Sequence, residues 1–241
     1  MDQGTCNKLK DNVYFTFIFL DDDESKWSAS EINDIWFNQI KEAMHYIQLN
    51  ANYYKTNVNI QKGIYSSCDE QTIARYHGSI NPNLLEKDVE EDILDQAATS
   101  LGFSSKHAMH NYLKKHTNRE QIAYVIMLNK KGISYAVDYP KESKTAIDYC
   151  VVFNGYLGTT RNCSSTTLVH EILHLFGAED YYDPYKKFPK RKEIAEIYFP
   201  NDIMLLMNRN VYLNTVGQYT AYSIGWIDEC PEPCKCEDWW R

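Results

Sequence analysis

The amino-terminal part of the chain passes from a strand-like to a helix-like pattern of apolar residues and back again. Val13 to Leu20 is a run of β-forming residues that predicts the first strand. Trp27 to Tyr54 then carries apolar residues at helical spacing, and Ser28 or Ser30 can cap this helix. Val58 to Ile64 returns to alternation and predicts a second strand. The pattern indicates a sheet with a long backing helix.

Three more apolar runs predict the rest of the sheet. Ile122 to Leu128 is a strong strand pattern, and Asn129-Lys130-Lys131-Gly132 joins it to the run from Ile133 to Val137. We interpret these two runs as a hairpin. Tyr149 to Phe153 is a further strand that ends at Asn154-Gly155. Later helices are predicted from Ser164 or Ser165 to about Phe176, from Lys192 to Tyr198 and from Val216 to Trp226.

Residues 66–121 separate the second strand from the third and carry helical patterns around Leu84 to Leu101 and Ser105 to His116. They predict a helical insertion within a single domain that spans residues 1–241. His107 and His110 share a helix face and suggest a metal site, with His116 nearby in sequence. We favour surface histidines without a catalytic role.

Composition is ordinary for a soluble globular protein, with 241 residues of which 44% are apolar and 24% charged. The net charge of −8 gives no electrostatic basis for binding nucleic acid or anionic membranes. No apolar run approaches the length of a membrane span. The charged stretch Asp21 to Lys26 also disfavours a signal peptide. We therefore expect a cytoplasmic protein without nucleic-acid or membrane partners, and a mature form of a secreted precursor also fits the sequence.

The seven cysteines are mostly scattered, which favours reduced thiols over a disulfide framework. Cys230, Cys234 and Cys236 form the one cluster, within a Cys-rich tail of residues 227–241. A disulfide or a thiolate metal site is open to them, but their spacing matches no complete zinc set. We expect a loose tail with free or pairing thiols. Cys6 is a less favoured candidate for an inhibitory thiolate on a metal centre.

The strongest chemical signal lies in the predicted helix that ends near Phe176. His170 and His174 are four residues apart, so a helix places both imidazoles on one face, where they can bind one metal ion. Glu171 is rotated by about 100° around the same helix, which suits a carboxylate that contacts a water molecule on the metal. This spacing predicts a zinc hydrolase centre with Glu171 as general base.

Gly177 follows the second histidine by three residues. A left-handed glycine there would end the helix and turn the chain, which brings residue 180 back towards the metal. Two competing interpretations are an ordinary amphipathic helix, with both histidines satisfied by hydrogen bonds, and a degenerate zinc site without catalysis.

From His170 to Met204 the sequence resembles the metzincin clan of zinc peptidases, whose motif HExxHxxGxxH/D precedes a methionine turn beneath the metal. The aspartate variant is similar to snapalysin-like bacterial enzymes. The resemblance implies Asp180 as the third zinc ligand, and Met204 in Asn201-Asp202-Ile203-Met204 as the Met-turn methionine, with Met207 as a fallback. It covers the strand and helix framework and the motifs from about Ser164 to Trp226, but neither the insertion nor the tail.

The resemblance also implies an α+β, metzincin-like zincin fold. A twisted mixed β-sheet would carry the long backing helix and the active-site helix, and a smaller carboxyl-terminal lobe would hold the Met-turn and a closing helix. The run from Ile133 to Val137 would be the edge that pairs with an extended peptide substrate. Several metzincins carry a tyrosine two residues after the Met-turn methionine, where this chain has Leu206; Tyr198 and Tyr212 are the nearest tyrosines in sequence.

Other carboxylates leave alternatives for the third ligand. Glu179 and Asp183 flank Asp180 in an acidic turn, and a gluzincin-like protease would instead use Glu193 or Glu196 from a second helix. Gly177 and Met204 favour Asp180.

The expected function is that of a zinc metalloendopeptidase acting on a protein or peptide substrate. One catalytic Zn²⁺ would activate water, with Glu171 as general base. The alternatives are a non-catalytic, zinc-stabilised binding module and a zinc amidase or deaminase that acts on a small molecule.

Overall fold

Five strands form one mixed sheet in the computed structural model, which describes residues 5–66, 68, 74–83, 93–137, 146–160, 162–182, 188 and 190–239. The strand order is β2-β1-β3-β5-β4. Strand β1 lies parallel to β2 and β3, β3 lies parallel to β5, and β4 runs antiparallel to β5 at the edge. The predicted α+β class is confirmed. The strands are β1 (Asp11–Leu20), β2 (Val58–Ser66), β3 (Gln121–Gly132), β4 (Tyr135–Val137) and β5 (Tyr149–Tyr156).

The three central strands are buried on both faces of the sheet, which explains their nearly continuous apolar runs. Successive side chains of a strand point to opposite faces. In β1, Phe15, Phe17 and Phe19 therefore belong to one hydrophobic core, whereas Ile18 and Leu20 belong to the other. Helices must cover both faces.

The first face is covered by the predicted long backing helix, which has three parts. These are α1 (Ala29–Asp34), a π-helical stretch (Ile35–Ile40) and α2 (Lys41–Tyr53). Ser28 caps the start with a complete capping box, in which Ser28 and Glu31 each accept a hydrogen bond from the other's backbone N–H. Helix α5 (Ser165–Leu175) packs on the same face, beside α2 and against β4 and β5. His170, Glu171 and His174 thus lie on a helix that the sheet and α2 both support.

The opposite face carries the predicted helical insertion, as α3 (Ile93–Ser100) and α4 (Lys106–Thr117). Residues 84–92 of the predicted pattern lie outside the described residues. Nδ1 of His110 hydrogen-bonds to the hydroxyl of Tyr124 at 3.1 Å, and the ring of His116 stacks on Tyr112. In the described part of the chain, the insertion's histidines do not form a metal-binding group.

The predicted hairpin between residues 122 and 137 is wrong. Strand β3 runs on through Gly132 and pairs with β5, at Lys131 with Gly155 and at Gly132 with Tyr156. Strand β4 also pairs with β5 rather than with β3. A Cβ atom on Gly132 would lie 2.4 Å from Cδ1 of Phe153, so this glycine permits a close ring contact and does not make a turn.

The carboxyl-terminal part contains α6 (Arg191–Tyr198) and α7 (Gln218–Ser223), the second shorter than predicted. The expectation of a loose tail is wrong, because Cys234 and Trp239 are fully buried. The Trp239 ring packs against Tyr181, Phe199 and Tyr219, at centroid distances of 5.5, 6.1 and 4.7 Å. The tail is therefore part of the domain core.

All seven cysteines are free thiols. The Cys6 thiol is buried against the carbonyl of Ile122, and burial raises its pKa well above the usual value. That environment opposes the thiolate form that an inhibitory ligand would need. None of the described helices combines the length and the apolar character needed to cross a membrane.

We predict that Trp239→Ala lowers the free energy of unfolding by about 3–5 kcal/mol, because it empties a fully buried aromatic site. Urea unfolding followed by circular dichroism measures this. Phe37→Ala is the control, since Phe37 is 63% exposed and its loss should change stability by less than about 0.5 kcal/mol. Equal, small effects would show that the tail adds no stability.

Candidate metal centre

Helix α5 places His170 and His174 on one face, one turn apart. Their ring planes are nearly perpendicular, at 89°, with centroids 4.7 Å apart. The two Nε2 atoms approach to 3.2 Å. Both rings therefore point at the same small volume, as the four-residue spacing predicts.

Backbone carbonyls orient both imidazoles. Nδ1 of His170 donates to the carbonyl of Ile203 at 3.0 Å, and Nδ1 of His174 donates to that of Ala178 at 2.8 Å. A carbonyl oxygen can only accept, so Nδ1 carries a proton in each ring. A neutral ring then presents an Nε2 lone pair, which is the arrangement that histidine metal ligands use.

Gly177 brings a carboxylate to the two imidazoles. Its φ of 96° ends the helix, and the N–H of Ala178 bonds back to the carbonyl of Leu173 at 3.1 Å. Oδ1 of Asp180 then lies 3.1 Å from Nε2 of His170 and 3.4 Å from Nε2 of His174. This oxygen is buried and, within the described residues, makes no hydrogen bond of normal geometry.

These three side chains fit a bound metal ion. Their ligand atoms all lie within 4.8 Å of one another, and they are the one such group of His, Cys, Asp or Glu found in the described residues. Two imidazole Nε2 atoms and a carboxylate oxygen that point at one partly buried volume attract a cation, which is a proton or a metal ion. Two histidines and one carboxylate are also a donor set of catalytic zinc sites, which keep an open position for water.

The alternative carboxylates lie elsewhere. Glu193 and Glu196 are exposed on α6, where Glu196 is 3.7 Å from Nζ of Lys192. Glu179 pairs instead with Arg191, at 2.6 Å. Asp183 lies outside the described residues. Geometry therefore favours Asp180 as the third ligand.

Glu171 is buried on α5 between the two histidines in sequence. Burial raises the pKa of its carboxyl, and the neighbouring Asp180 raises it further, against the opposing effect of His170 and His174. A desolvated carboxylate with a raised pKa is a stronger base than one in water. Its environment suits proton transfer.

The pKa values of His174 and Asp180 depend on each other. Burial lowers the pKa of His174, but the hydrogen bond and negative charge of Asp180 outweigh it and raise the pKa to about 9. Burial raises the pKa of Asp180, but the two imidazoles hold it well below its usual range. Without a metal ion, a proton on His174 therefore balances the carboxylate near neutral pH.

Tyr182 is the tyrosine beside the centre. Its ring is nearly parallel to that of His170, at 10° and a centroid distance of 6.5 Å. The side chain of Tyr182 is 39% exposed, and burial of its hydroxyl together with the charge of Asp180 raises the pKa of the phenol, so the hydroxyl keeps its proton at neutral pH. Tyr198 is 58% exposed, and the hydroxyl of Tyr212 bonds to His45 instead. Tyr182 is not among the residues predicted from the sequence, where its one signal is its place two residues after Asp180.

The turn at residues 201–204 lies beneath the histidines. Met204 is fully buried, whereas the fallback Met207 is 41% exposed. The carbonyl of Met204 accepts the N–H of Tyr181 at 3.0 Å, and the preceding carbonyl, that of Ile203, orients His170. The turn thus supports a histidine and the segment that carries Asp180.

No protein-family model matches this chain, and a search of curated proteins gives no significant match.

We predict that zinc binding to the metal-free protein at pH 7 releases about one proton, because His174, with a pKa of about 9, must lose its proton to become a ligand. Isothermal titration calorimetry in buffers of different ionisation enthalpy counts the protons. Asp180→Ala should release fewer protons per zinc bound, since it removes the charge that raises the pKa of His174. An enthalpy independent of buffer would contradict this protonation state.

Proposed function

We propose that this chain is a zinc-dependent endopeptidase that resembles the metzincins. The observation that carries the proposal is the convergence of His170, His174 and Asp180 at one point, with Glu171 buried on the same helix. A purely structural zinc site is closed by four protein ligands, whereas three ligands leave a position for water and substrate.

The chemistry divides between the metal and the chain. Zinc, when bound, acidifies a water molecule and polarises the scissile carbonyl. The Glu171 carboxylate accepts a proton from that water as it attacks the carbonyl carbon, and then delivers the proton to the leaving amine. The raised pKa of Glu171 favours both steps. It makes the carboxylate a better base for the water proton, and it lets the carboxyl hold that proton until the leaving amine accepts it.

Tyr182 is the side chain that we assign to the developing oxyanion. Its ring lies beside that of His170, and the raised pKa of its phenol keeps the proton available for donation. A positioned hydroxyl donor stabilises the negative charge that develops on the carbonyl oxygen. In this chain it would take the place of the tyrosine that position 206 lacks.

The edge of the sheet supports a peptide as substrate. Strand β4 is one of the two edge strands in the described part of the chain, and it packs beside α5. An extended peptide can add to such an edge by main-chain hydrogen bonds, which places its backbone along the metal centre. Binding through the main chain suits cleavage within a polypeptide.

We predict that Glu171→Ala retains zinc and the fold but lowers kcat for peptide hydrolysis by about 100-fold or more, because the general base is lost. Cleavage of a peptide library by mass spectrometry, with zinc content measured on the same samples, tests this. Glu196→Ala on the exposed face of α6 is the control and should keep full activity. If Glu171→Ala were as active as the parent protein, the proposed mechanism would be wrong.

We predict that Tyr182→Phe lowers kcat by about 100-fold with little change in KM or zinc affinity, because it removes one oxyanion donor and keeps the ring. Steady-state kinetics on the best library peptide separate the two parameters. Tyr198→Phe and Tyr212→Phe are matched controls, since neither hydroxyl reaches the centre. A loss in KM alone would assign Tyr182 to substrate binding instead.

A further inference from the structure

Asp202 is a fully buried carboxylate next to Ile203, whose carbonyl accepts the Nδ1 proton of His170. Oδ1 accepts the N–H of Met204 at 2.8 Å, and Oδ2 accepts the N–H of Gly217 at 2.7 Å. The hydroxyl of Thr220 lies 3.0 and 2.9 Å from the two oxygens, and that of Tyr181 lies 3.3 Å from Oδ2. A carboxylate has about four lone-pair positions, and two N–H groups and one hydroxyl proton fill three of them, because the bond between the Tyr181 and Thr220 hydroxyls uses the other hydroxyl proton.

These hydrogen bonds connect Asp202 to His170. The bond from Met204 closes a tight turn over Ile203, whose carbonyl accepts the Nδ1 proton of His170 at 3.0 Å. The direction of that carbonyl sets the ring orientation of His170, because Nδ1–H and Nε2 lie on opposite sides of the imidazole.

The same carboxylate is connected to Asp180. Tyr181, the next residue, donates its N–H to the carbonyl of Met204 and its hydroxyl to Oδ2 of Asp202. Thr220 then ties this group to α7, through a 2.6 Å bond to the hydroxyl of Tyr181. Two of the three side chains that can hold a metal therefore depend on one carboxylate.

Gly217 gives independent evidence that the surroundings of Asp202 are closely packed. A Cβ atom at this position would lie 2.4 Å from Oδ2 of Asp202, well inside any normal contact. Its φ of −70° is open to any residue, so backbone conformation does not require a glycine here. The close approach of the Asp202 carboxylate requires a glycine at this position.

We propose that Asp202 is a positioning residue of the metal centre, which fixes the ring of His170 and the carboxylate of Asp180 in the geometry that binds the ion. The proposal rests on the metal centre of the proposed function, but not on peptide hydrolysis. Asp202 does not touch the metal or the substrate. It acts through Ile203 and Tyr181.

The test is Asp202→Asn, which keeps the size of the side chain but replaces one acceptor oxygen with an NH₂ donor. That donor must face the N–H of either Met204 or Gly217, so one buried bond is replaced by a contact between two donors. We expect the zinc dissociation constant to rise by about 10–100-fold, as measured by competition with a chromophoric chelator. The visible spectrum of the Co²⁺-substituted protein should change as well, since the ligands move.

Asp22→Asn is the matched control. Asp22 is also a fully buried carboxylate, and it accepts backbone N–H groups from Glu24, Ser25 and Ile80. Both substitutions should lower the melting temperature, but only Asp202→Asn should weaken zinc binding and alter the Co²⁺ spectrum at a temperature where both variants are folded. Unchanged zinc affinity in folded Asp202→Asn would overturn the proposal and leave Asp202 a purely structural residue.

A second variant covers the case in which Asp202→Asn does not fold. Gly217→Ala keeps the carboxylate but pushes it from its position, and the same rise in the zinc dissociation constant is expected. The parent protein separates the two proposals. Zinc binding without peptide cleavage would refute the proposed function and leave this inference standing, whereas absence of zinc binding would refute both.

Discussion

The convergence of two imidazole nitrogens and a carboxylate oxygen is the constraint on which the carboxyl-terminal half of the structure depends. Electron-rich atoms at 3.1–3.4 Å in a buried site need a cation or a proton between them. Holding them there requires rigid support from several directions. The sheet and α2 hold the helix, Gly177 returns the chain, and the turn beneath the histidines fixes the ring of His170. This is the preorganisation that a metal site demands of its surroundings.

Anchors on both sides of Asp180 show how much of the fold serves its position. Glu179 is bound to the buried Arg191, whose Nε donates to the carbonyl of Trp239. Tyr181 is bound to Asp202 and packs on the Trp239 ring. The tail therefore contributes to the site although it lies far from the motif in sequence. Because these contacts come from several segments, the proposed ligand geometry depends on the whole carboxyl-terminal part of the chain.

Prediction from sequence succeeded where the determinants are local. The spacing of His170 and His174 specifies a shared helix face, and Gly177 specifies where that helix ends. Of the two serines predicted as possible caps, Ser28 caps the start of the backing helix. Prediction from sequence failed at Gly132, because a glycine that makes a turn and a glycine that admits a neighbouring ring look alike in sequence.

The sequence by itself determined the helix that carries the motif, the spacing of its histidines with Glu171 and the strand patterns of the sheet. These follow from periods of 3.6 and 2 residues, which are properties of the local backbone. Only the tertiary structure decided that β4 pairs with β5, that Trp239 enters the core, that Tyr182 lies beside His170 and that Asp202 binds Tyr181 and Met204. Each of these depends on which distant segments meet, and in this single chain no local pattern records such contacts.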